Sequence, residues 1–514
     1  MKLQPALLFG EHMILQRREP IPVWGRSARD DAVTVTLGAN TAVGKAEGGV
    51  WKVVLPPMEA TERTAMTITS AITGEKLVFD DVAIGEVWLA GGQSNMEFFL
   101  KYDEEFDAMK ATPDDPCLRY FRYPQANFTG CLEKQPYPDD GFWRVWTHGG
   151  NRAFFSGPVA YMGRALRKAM GVPVGFIGCN WGGTPAAAWT AMEDLEANSA
   201  LKPILNWHAE SCAATELAAY YAASDQTEPE PTSEEQARMD FLMMGGDFHK
   251  LPPMPDLGNI PYTPFKPGPR ACVRPAGLYE TMLRKVAPYG IRGVIWYQGE
   301  DDDFRGWAEF YDESMKTMIS SWRRLWGKKL PFLQVELAPF QGYGFNSAKQ
   351  YPLMRTKQRA VADGCEDVHD VCIMDSGDAL NIHVRKKRPA GERLALLARK
   401  YVYGEADLLA DSPRASSISC QGNQIQVLFD NGGDGLVLRE DPQAVLEITA
   451  DGKAVTAEAA VQGSVLILTS PAFEGAETIT VKFAEQNFCQ DPLFNSAGLP
   501  AFPFTLELRR GKEI

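Results

Sequence analysis

Five short apolar runs in the middle of the chain constrain its fold more than any other feature. Each is four residues long and nearly continuous, as expected for strands buried on both faces of a parallel sheet; they span 87–90, 174–177, 294–297, 332–335 and 371–374. Segments with helical periodicity lie between them, at 159–169, 307–326 and 353–362. Strands that alternate with helices predict an α/β sheet with right-handed crossovers.

The two ends of the chain show a different pattern. Val33, Val35 and Leu37 alternate with threonines, and Ile425, Val427 and Phe429 alternate with other side chains in the same way. This period of two is typical of half-buried antiparallel strands. The length of 514 residues allows roughly three domains. We therefore predict a β-sandwich-like domain at 1–84, an α/β domain at 85–408 and a second β domain at 409–514.

One segment, at about 222–270, interrupts the alternation of predicted strands and helices. Nine prolines fall between Pro229 and Pro269, together with several glutamates. We interpret it as an inserted loop over the sheet that forms a lid or a substrate wall. A disordered surface excursion is the alternative.

Composition excludes several classes of function. The 66 acidic residues exceed the 52 basic ones, and the net charge of −14 disfavours nucleic acid and anionic membranes. No apolar run is long enough for a membrane helix, and no ordinary signal peptide is present, so a cytoplasmic location is expected. The nine cysteines are odd in number and lack a C-x-x-C pair, so neither a disulfide framework nor a zinc site is indicated. We expect no metal or other cofactor, and the sequence allows a homo-oligomer.

The loops after the apolar runs carry the candidate chemistry. Ser94 follows the first run and two glycines, at the start of the next helix, where N-terminal amides stabilise negative charge. Met96 excludes the G-x-S-x-G elbow. Gly182 and Gly183 follow the second run and free backbone amides to point at a ligand, and Gln298 follows the third with a side-chain amide.

His383 lies in the loop after the fifth run. It is one of only six histidines, and none of the others follows a predicted sheet strand so directly. In a parallel sheet these loops meet at one edge. A hydroxyl, amide donors and an imidazole together are what acyl transfer requires: a nucleophile, a base and an oxyanion site. The acids after Gln298 are consecutive and have no histidine nearby, so a metal site is disfavoured.

These motifs resemble the sialate O-acetylesterase family, within the SGNH (GDSL-like) hydrolases. The resemblance rests on GQSNM at 92–96, WGGT at 181–184, WYQGE at 296–300 and NIH at 381–383, and it extends to GLPA at 498–501. It covers nearly the whole chain. It implies a three-layer α/β/α core with a mostly parallel sheet, flanked by antiparallel β domains. It also implies a serine esterase that removes O-acetyl groups from sugars.

The resemblance implies a role for each matching residue. Ser94 would be the nucleophile and His383 the general base. The oxyanion donors would be the backbone N–H groups of Ser94, Gly182 and Gly183 and the side chain of Gln298. Because losing one such donor typically costs about 10²–10³ in rate, the resemblance predicts a severe loss of activity for Gln298→Ala.

The chain departs from the family pattern at the orienting acid. Leu380 stands where an aspartate commonly precedes the histidine by three residues. Asp378 is the preferred acid, Asp375 is the alternative, and a Ser–His dyad oriented by a backbone carbonyl is a third arrangement. The predicted substrate-binding residues are Trp181, Glu300, Asp301, Asn381 and Arg385.

The predicted partner is a small O-acetylated saccharide. Sialic acids are suggested by the family name, whereas the acidic balance favours neutral sugars such as acetylated hemicellulose or xylan fragments. A different class also stays open: a non-catalytic carbohydrate-binding protein with an inactive hydrolase core.

Overall fold

The computed structural model describes residues 2–134, 139–226, 232–246, 250–251, 260–343 and 346–510. A mixed α/β fold is present, as predicted. The strands of the central sheet, in spatial order, are Trp143–Trp146, Asp115–Arg122, Val174–Asn180, Lys76–Gly92, Gly293–Tyr297, Phe332–Val335 and Val368–Val371. All neighbouring pairs along this path are parallel except the first, which is antiparallel.

The register of the central sheet brings three strand ends to one edge. Gly92 pairs with Asn180 on one side and with Tyr297 on the other. These residues end their strands, so the loops that carry Ser94, Gly182 and Gln298 begin side by side. Gly92 has φ +133°, and a Cβ there would lie 2.2 Å from the carbonyl oxygen of Tyr297. Only glycine allows the chain to turn at this point.

Helices cover both faces of the central sheet. Alternate strand residues divide between two hydrophobic clusters, with Val294 in one and Ile295 in the other. The helices Tyr311–Trp326 and Tyr351–Gly364 pack in the first cluster, and Gly157–Met170 and Arg388–Leu397 pack in the second. The near-continuous apolar runs are explained by this double burial.

The Lys76–Gly92 strand joins the N-terminal β region to the central sheet. Its first half pairs antiparallel with Thr61–Ser70, and its second half is buried in the parallel sheet. The predicted boundary after residue 84 falls inside this strand. The other N-terminal strands are Gln4–Pro5, Ile14–Gln16, Ile21–Arg26, Ala32–Leu37, Asn40–Lys45 and Val50–Leu55.

The C-terminal strands form two four-stranded antiparallel sheets and a short pair. Ile425, Val427 and Phe429 are buried, as are Ile479 and Val481, in agreement with their alternating pattern. The strands are Arg414–Gln421, Gln424–Asp430, Val437–Leu438, Leu446–Ala450, Lys453–Val455, Glu458–Gln462, Val465–Thr469, Thr478–Phe483, Leu493–Phe494 and Phe504–Arg509.

The other helices are mostly short and lie in the connections of the α/β region. They are Ser94–Glu97, Phe106–Lys110, Cys131–Lys134, Met192–Ala197, Lys202–Ala213, Leu217–Ser224, Ser233–Met243, Arg284–Val286 and Glu300–Arg305. The fifth predicted run is displaced: its strand is Val368–Val371, and residues 372–374 begin the loop that leads to His383. In the described part of the chain, no helix has both the length and the apolarity needed to cross a bilayer.

The predicted insertion is partly helical. Within its described residues, the Ser233–Met243 helix starts with a capping box in which Thr232 and Glu235 exchange hydrogen bonds. The segment 227–231 and parts of 247–259 lie outside the described residues.

Candidate active site

Ser94 is the first residue of a helix at the carboxyl edge of the central sheet. Gln93 precedes it with extended backbone angles, and its amide donates to the carbonyl oxygen of Tyr297 at 3.0 Å. The side-chain oxygen of Gln93 accepts the N–H groups of Gly299 and Asp301, which locks this turn to the neighbouring loop. The Ser94 side chain is partly exposed, and its hydroxyl makes no hydrogen bond to any described residue. It is therefore available to a ligand.

Gly182 lies directly against Ser94, and Gly183 follows it in the same turn. A Cβ at Gly182 would be 3.1 Å from the Cβ of Ser94. The two glycines nevertheless differ as donors: Gly182 N–H donates to the Glu97 carboxylate at 2.8 Å, whereas the N–H groups of Gly183 and Ser94 have no acceptor within the described residues. Two of the predicted oxyanion donors are thus free to bind a ligand, and a third is occupied.

Asn95 ties the Ser94 turn to the His383 loop. Its amide nitrogen donates to the carbonyl oxygen of Ile382 at 3.0 Å and to the Glu300 carboxylate at 2.5 Å. Its oxygen accepts from the Lys387 ammonium at 2.5 Å. Since Asn95 and Ile382 are the immediate neighbours of Ser94 and His383, this bond holds the two candidate catalytic residues in adjacent loops.

Burial shifts the pKa values of the groups around Asn95. It raises the pKa of Glu300, against the hydrogen bond from Asn95 and the charge of Lys387. It lowers the pKa of Lys387 to about 7, against the opposing charges of Glu300 and Asp103. The Lys387 ammonium also lies 4.4 Å from the centroid of the Phe98 ring, a cation–π contact.

His383 is neutral at ordinary pH. Loss of solvation lowers its pKa to about 3, and the positive charge of Lys387 acts in the same direction. Its backbone N–H donates to the side-chain oxygen of Asn381 at 2.9 Å, but its ring has no hydrogen-bond partner within the described residues. A neutral imidazole is the form that accepts a proton.

Neither predicted orienting acid contacts the His383 ring. The exposed Asp378 carboxylate accepts the backbone N–H groups of Leu380 and Asn381 in a local turn. Asp375 forms two 2.7 Å hydrogen bonds with Arg393. Burial alone would raise the pKa of Asp375, but Arg393 brings it below the ordinary value. None of the three arrangements considered from the sequence has a hydrogen bond to the His383 ring in the described residues, so the orienting group stays a prediction.

Gln298 does not direct its amide at Ser94. The side chain is completely buried, and its nitrogen donates to the carbonyl oxygen of Thr184 at 3.1 Å and to Asp302 at 2.6 Å. Its oxygen accepts from the Tyr311 hydroxyl. Both amide protons are therefore donated to described residues, so Gln298 joins the Gly182–Gly183 loop to the Glu300–Arg305 helix. Its predicted oxyanion role stays a prediction.

Replacing Gln298 with alanine should therefore lower the free energy of unfolding markedly and lower kcat only slightly. Deleting this amide removes one hydrogen bond from each of the buried groups of Thr184, Asp302 and Tyr311, although Asp302 keeps the N–H of Ala186 and Tyr311 keeps the backbone carbonyl of residue 298. Each lost bond to a buried group costs about 1 kcal/mol or more before relaxation. We expect urea unfolding to show a loss of roughly 2–4 kcal/mol in the free energy of unfolding, with kcat per folded molecule within tenfold of wild type.

The exposed Gln424, on a C-terminal strand, provides a matched control for that substitution. Gln424→Ala should change neither quantity. Unchanged stability combined with a hundredfold fall in kcat for Gln298→Ala would instead support the oxyanion role.

The predicted substrate-binding residues differ in their availability. Trp181 and Glu300 are buried, and Asp301 is held in an ion pair with Arg305. Asn381 and Arg385 are partly exposed beside His383. Arg385 donates from Nε to the Tyr102 carbonyl oxygen at 3.0 Å and forms no ion pair within the described residues. These two residues are the best placed to meet a substrate.

No described group of three or more His, Cys, Asp or Glu side chains is arranged to hold a metal ion.

Comparisons with known proteins relate the chain to carbohydrate esterases. A family model for carbohydrate esterases, the sialic acid-specific acetylesterases, matches residues 267–397. The sialate O-acetylesterase of Rattus norvegicus is 26% identical over 453 residues, which cover 80% of this chain and 76% of that protein. The Homo sapiens enzyme is 25% identical and covers 80% and 73%.

A solved structure extends the similarity to the whole fold. The crystal structure of a carbohydrate acetylesterase from Xanthomonas citri superimposes with a TM-score of 0.74 at 28% identity, and it covers 98% of this chain and 99% of that one. The fold and these comparisons make the chain similar to the carbohydrate esterases. The resemblance to the sialate O-acetylesterase family is confirmed: the chain is a relative of those enzymes over most of its length.

The sequence analysis missed three residues that shape the site. Asn95 lies in the GQSNM motif at 92–96, and its buried amide side chain could have indicated hydrogen bonds to neighbouring loops. Glu97 and Lys387 gave no such signal, because their contacts to Gly182 and Asn95 bridge 85 and 292 residues of sequence.

Proposed function

We propose that this protein is a serine carbohydrate esterase that removes O-acetyl groups from saccharides through an acetyl-Ser94 intermediate. The observation that carries the proposal is the hydrogen bond from Asn95 to Ile382, which places the Ser94 turn beside the His383 loop. The family match and the similarity to the Xanthomonas citri acetylesterase support it. The parallel sheet with helices on both faces supports assignment to the SGNH type.

The reaction divides into two acyl transfers. The neutral His383 takes the Ser94 proton while the hydroxyl oxygen attacks the acetyl carbonyl. The oxyanion accepts hydrogen bonds from the free N–H groups of Ser94 and Gly183, at the N-terminus of a helix. The imidazolium then protonates the departing sugar oxygen, and the ester bond to the sugar breaks. In the second half His383 activates water, which releases acetate from Ser94.

Lys387 and Asn95 act on this chemistry through position and charge. Asn95 fixes the Ile382 carbonyl, and with it the backbone next to the imidazole. The buried Lys387 charge opposes formation of imidazolium, which keeps His383 in its basic form before substrate binds. Glu300 partly balances that charge.

Arg385 favours an acidic saccharide as substrate. Arg385 is partly exposed two residues after His383, and it forms no ion pair within the described residues. It begins the run Arg385-Lys386-Lys387-Arg388 in a chain of net charge −14. Because Arg388 pairs with Glu105 and Lys387 is buried beside Glu300, Arg385 and the exposed Lys386 are the members that can meet a ligand's negative charge. A carboxylate on the sugar would be attracted here. The overall acidic charge favours the alternative, a neutral acetylated xylo-oligosaccharide.

Acetate release from two probes tests the function and separates these substrates. The probes are 9-O-acetyl-N-acetylneuraminic acid and acetylated xylotriose. We expect wild type to hydrolyse the sialate with the higher kcat/KM, and Arg385→Gln to reduce that value about tenfold while leaving xylotriose hydrolysis unchanged. Arg439→Gln, in the C-terminal region, is the matched control. Acetate release from neither probe would refute the proposed function, and preference for xylotriose would support the neutral alternative.

A further inference from the structure

We propose that Phe265 is an aromatic platform on which the sugar ring of the substrate stacks beside Ser94. The proposal rests on the esterase function above and deepens it by assigning a residue to the saccharide part of the substrate. Phe265 lies in the insertion, before the residues matched by the family model.

The Phe265 ring is part of the wall of the candidate site. A Cβ at Gly183 would lie 3.3 Å from the ring, and Gly183 has φ +65°. A glycine at this position thus permits both the left-handed turn and the close approach of the ring. Gly183 follows Gly182, which itself contacts Ser94. The ring therefore contacts the residue that follows the one packed against Ser94.

The turn that carries Phe265 is anchored on both sides. Tyr262 is buried and packs edge-on against Tyr220, with ring centroids 5.2 Å apart. Lys266 N–H donates to the Thr263 carbonyl oxygen, which closes the turn, and Cys272 N–H donates to Pro264 at 2.8 Å. A ring held by such a turn presents its face to a ligand with little loss of conformational freedom on binding.

Exposure distinguishes Phe265 from the apolar residues around it. Its side chain is 48% exposed, whereas Tyr262 is 8% exposed and Cys272 is completely buried. Single exposed apolar side chains are common on protein surfaces, so the exposure of Phe265 matters because the ring lies against the Gly183 turn. The acetyl group is small, so the remainder of the substrate must extend from Ser94 over the surrounding loops. An exposed aromatic face is suited to the C–H face of a pyranose ring.

The insertion also reaches the opposite side of the site. A Cβ at Gly245, just after the Ser233–Met243 helix, would lie 3.4 Å from Asn381 and 3.6 Å from Arg385. Tyr102 donates a 2.5 Å hydrogen bond to Asp240 of that helix. The described parts of the insertion thus contact both the Gly183 loop and the His383 loop. A saccharide bound at Ser94 lies between these contacts.

Comparing a sugar ester with a simple ester tests the platform. Ethyl acetate has the acetyl group without a sugar, whereas penta-O-acetylglucose and 9-O-acetyl-N-acetylneuraminic acid have both. For Phe265→Ala we expect kcat/KM to fall about tenfold on the sugar esters, mainly through KM, and to change less than twofold on ethyl acetate. Phe265→Trp should retain the wild-type values, and Phe265→Leu should behave like alanine.

Leu428→Ala is the control, because this side chain is 44% exposed on a C-terminal strand. It should change none of the rates. Equal losses on ethyl acetate and on the sugar esters for Phe265→Ala, or no loss on either, would overturn the platform while leaving the esterase intact. A wild-type protein that hydrolyses none of the three esters would overturn the esterase function and the platform with it.

Discussion

Replacing Ser94 with alanine should lower kcat for acetate release by about 10⁴-fold or more, the largest effect we expect from any single substitution. Without the hydroxyl no acetyl-enzyme forms, and the remaining rate comes from water attack assisted by the free amides of Ser94 and Gly183. The residue at position 94 keeps its N–H, so KM should change little. Acetate release under single-turnover conditions measures the loss directly.

The same substitution should leave the fold intact. The Ser94 hydroxyl makes no hydrogen bond to a described residue, and the helix N-cap is Gln93. We therefore expect the free energy of unfolding to stay within about 0.5 kcal/mol of wild type. Ser417→Ala, on an exposed strand of the C-terminal region, is the matched serine control. If Ser94→Ala and wild type released acetate at the same background rate, the non-catalytic carbohydrate-binding alternative would be supported instead.

Local patterns were sufficient to predict how the strand ends meet. The apolar runs are short and continuous because both faces of the sheet are covered, and parallel strands place their following loops at one edge. The two glycines before Ser94 were informative for a similar reason: at position 92 any side chain would collide with the Tyr297 backbone. Ser94 and Gly182 could thus be brought together before the structure was known.

Side-chain direction could not be predicted in the same way. A strand-end position tells which edge Gln298 occupies, but its amide turns inward because Asp302, four residues later, offers a buried carboxylate. Asp378 was chosen for its closeness to His383 in sequence. Aspartates in loops commonly bond to nearby backbone amides, and Asp378 does so with Leu380. Proximity along the chain therefore misled the choice of acid.

Replacing His383 with alanine should lower kcat by about 10³-fold, because general-base catalysis supplies about 10²–10⁴ and no other described imidazole lies in these loops. The pH dependence of kcat/KM for the wild type tests the role of His383 as a base more specifically. The neutral ring is the active form, so kcat/KM is constant above the pKa of His383 and falls as the pH drops through it. With that pKa lowered to about 3, we expect kcat/KM to remain flat from pH 6, where Lys387 is charged, down to pH 4.5.

Lys387→Met connects this profile to its structural cause. Removing the ammonium removes the charge that opposes protonation of His383, so the pKa of the imidazole should rise and the acid limb of kcat/KM should move up towards the ordinary value for histidine. Lys386→Met, at the exposed neighbouring position, should leave the limb in place because its charge is solvated. A wild-type limb already centred near the ordinary histidine value, or one that Lys387→Met does not move, would show that the buried lysine does not set the basicity of His383.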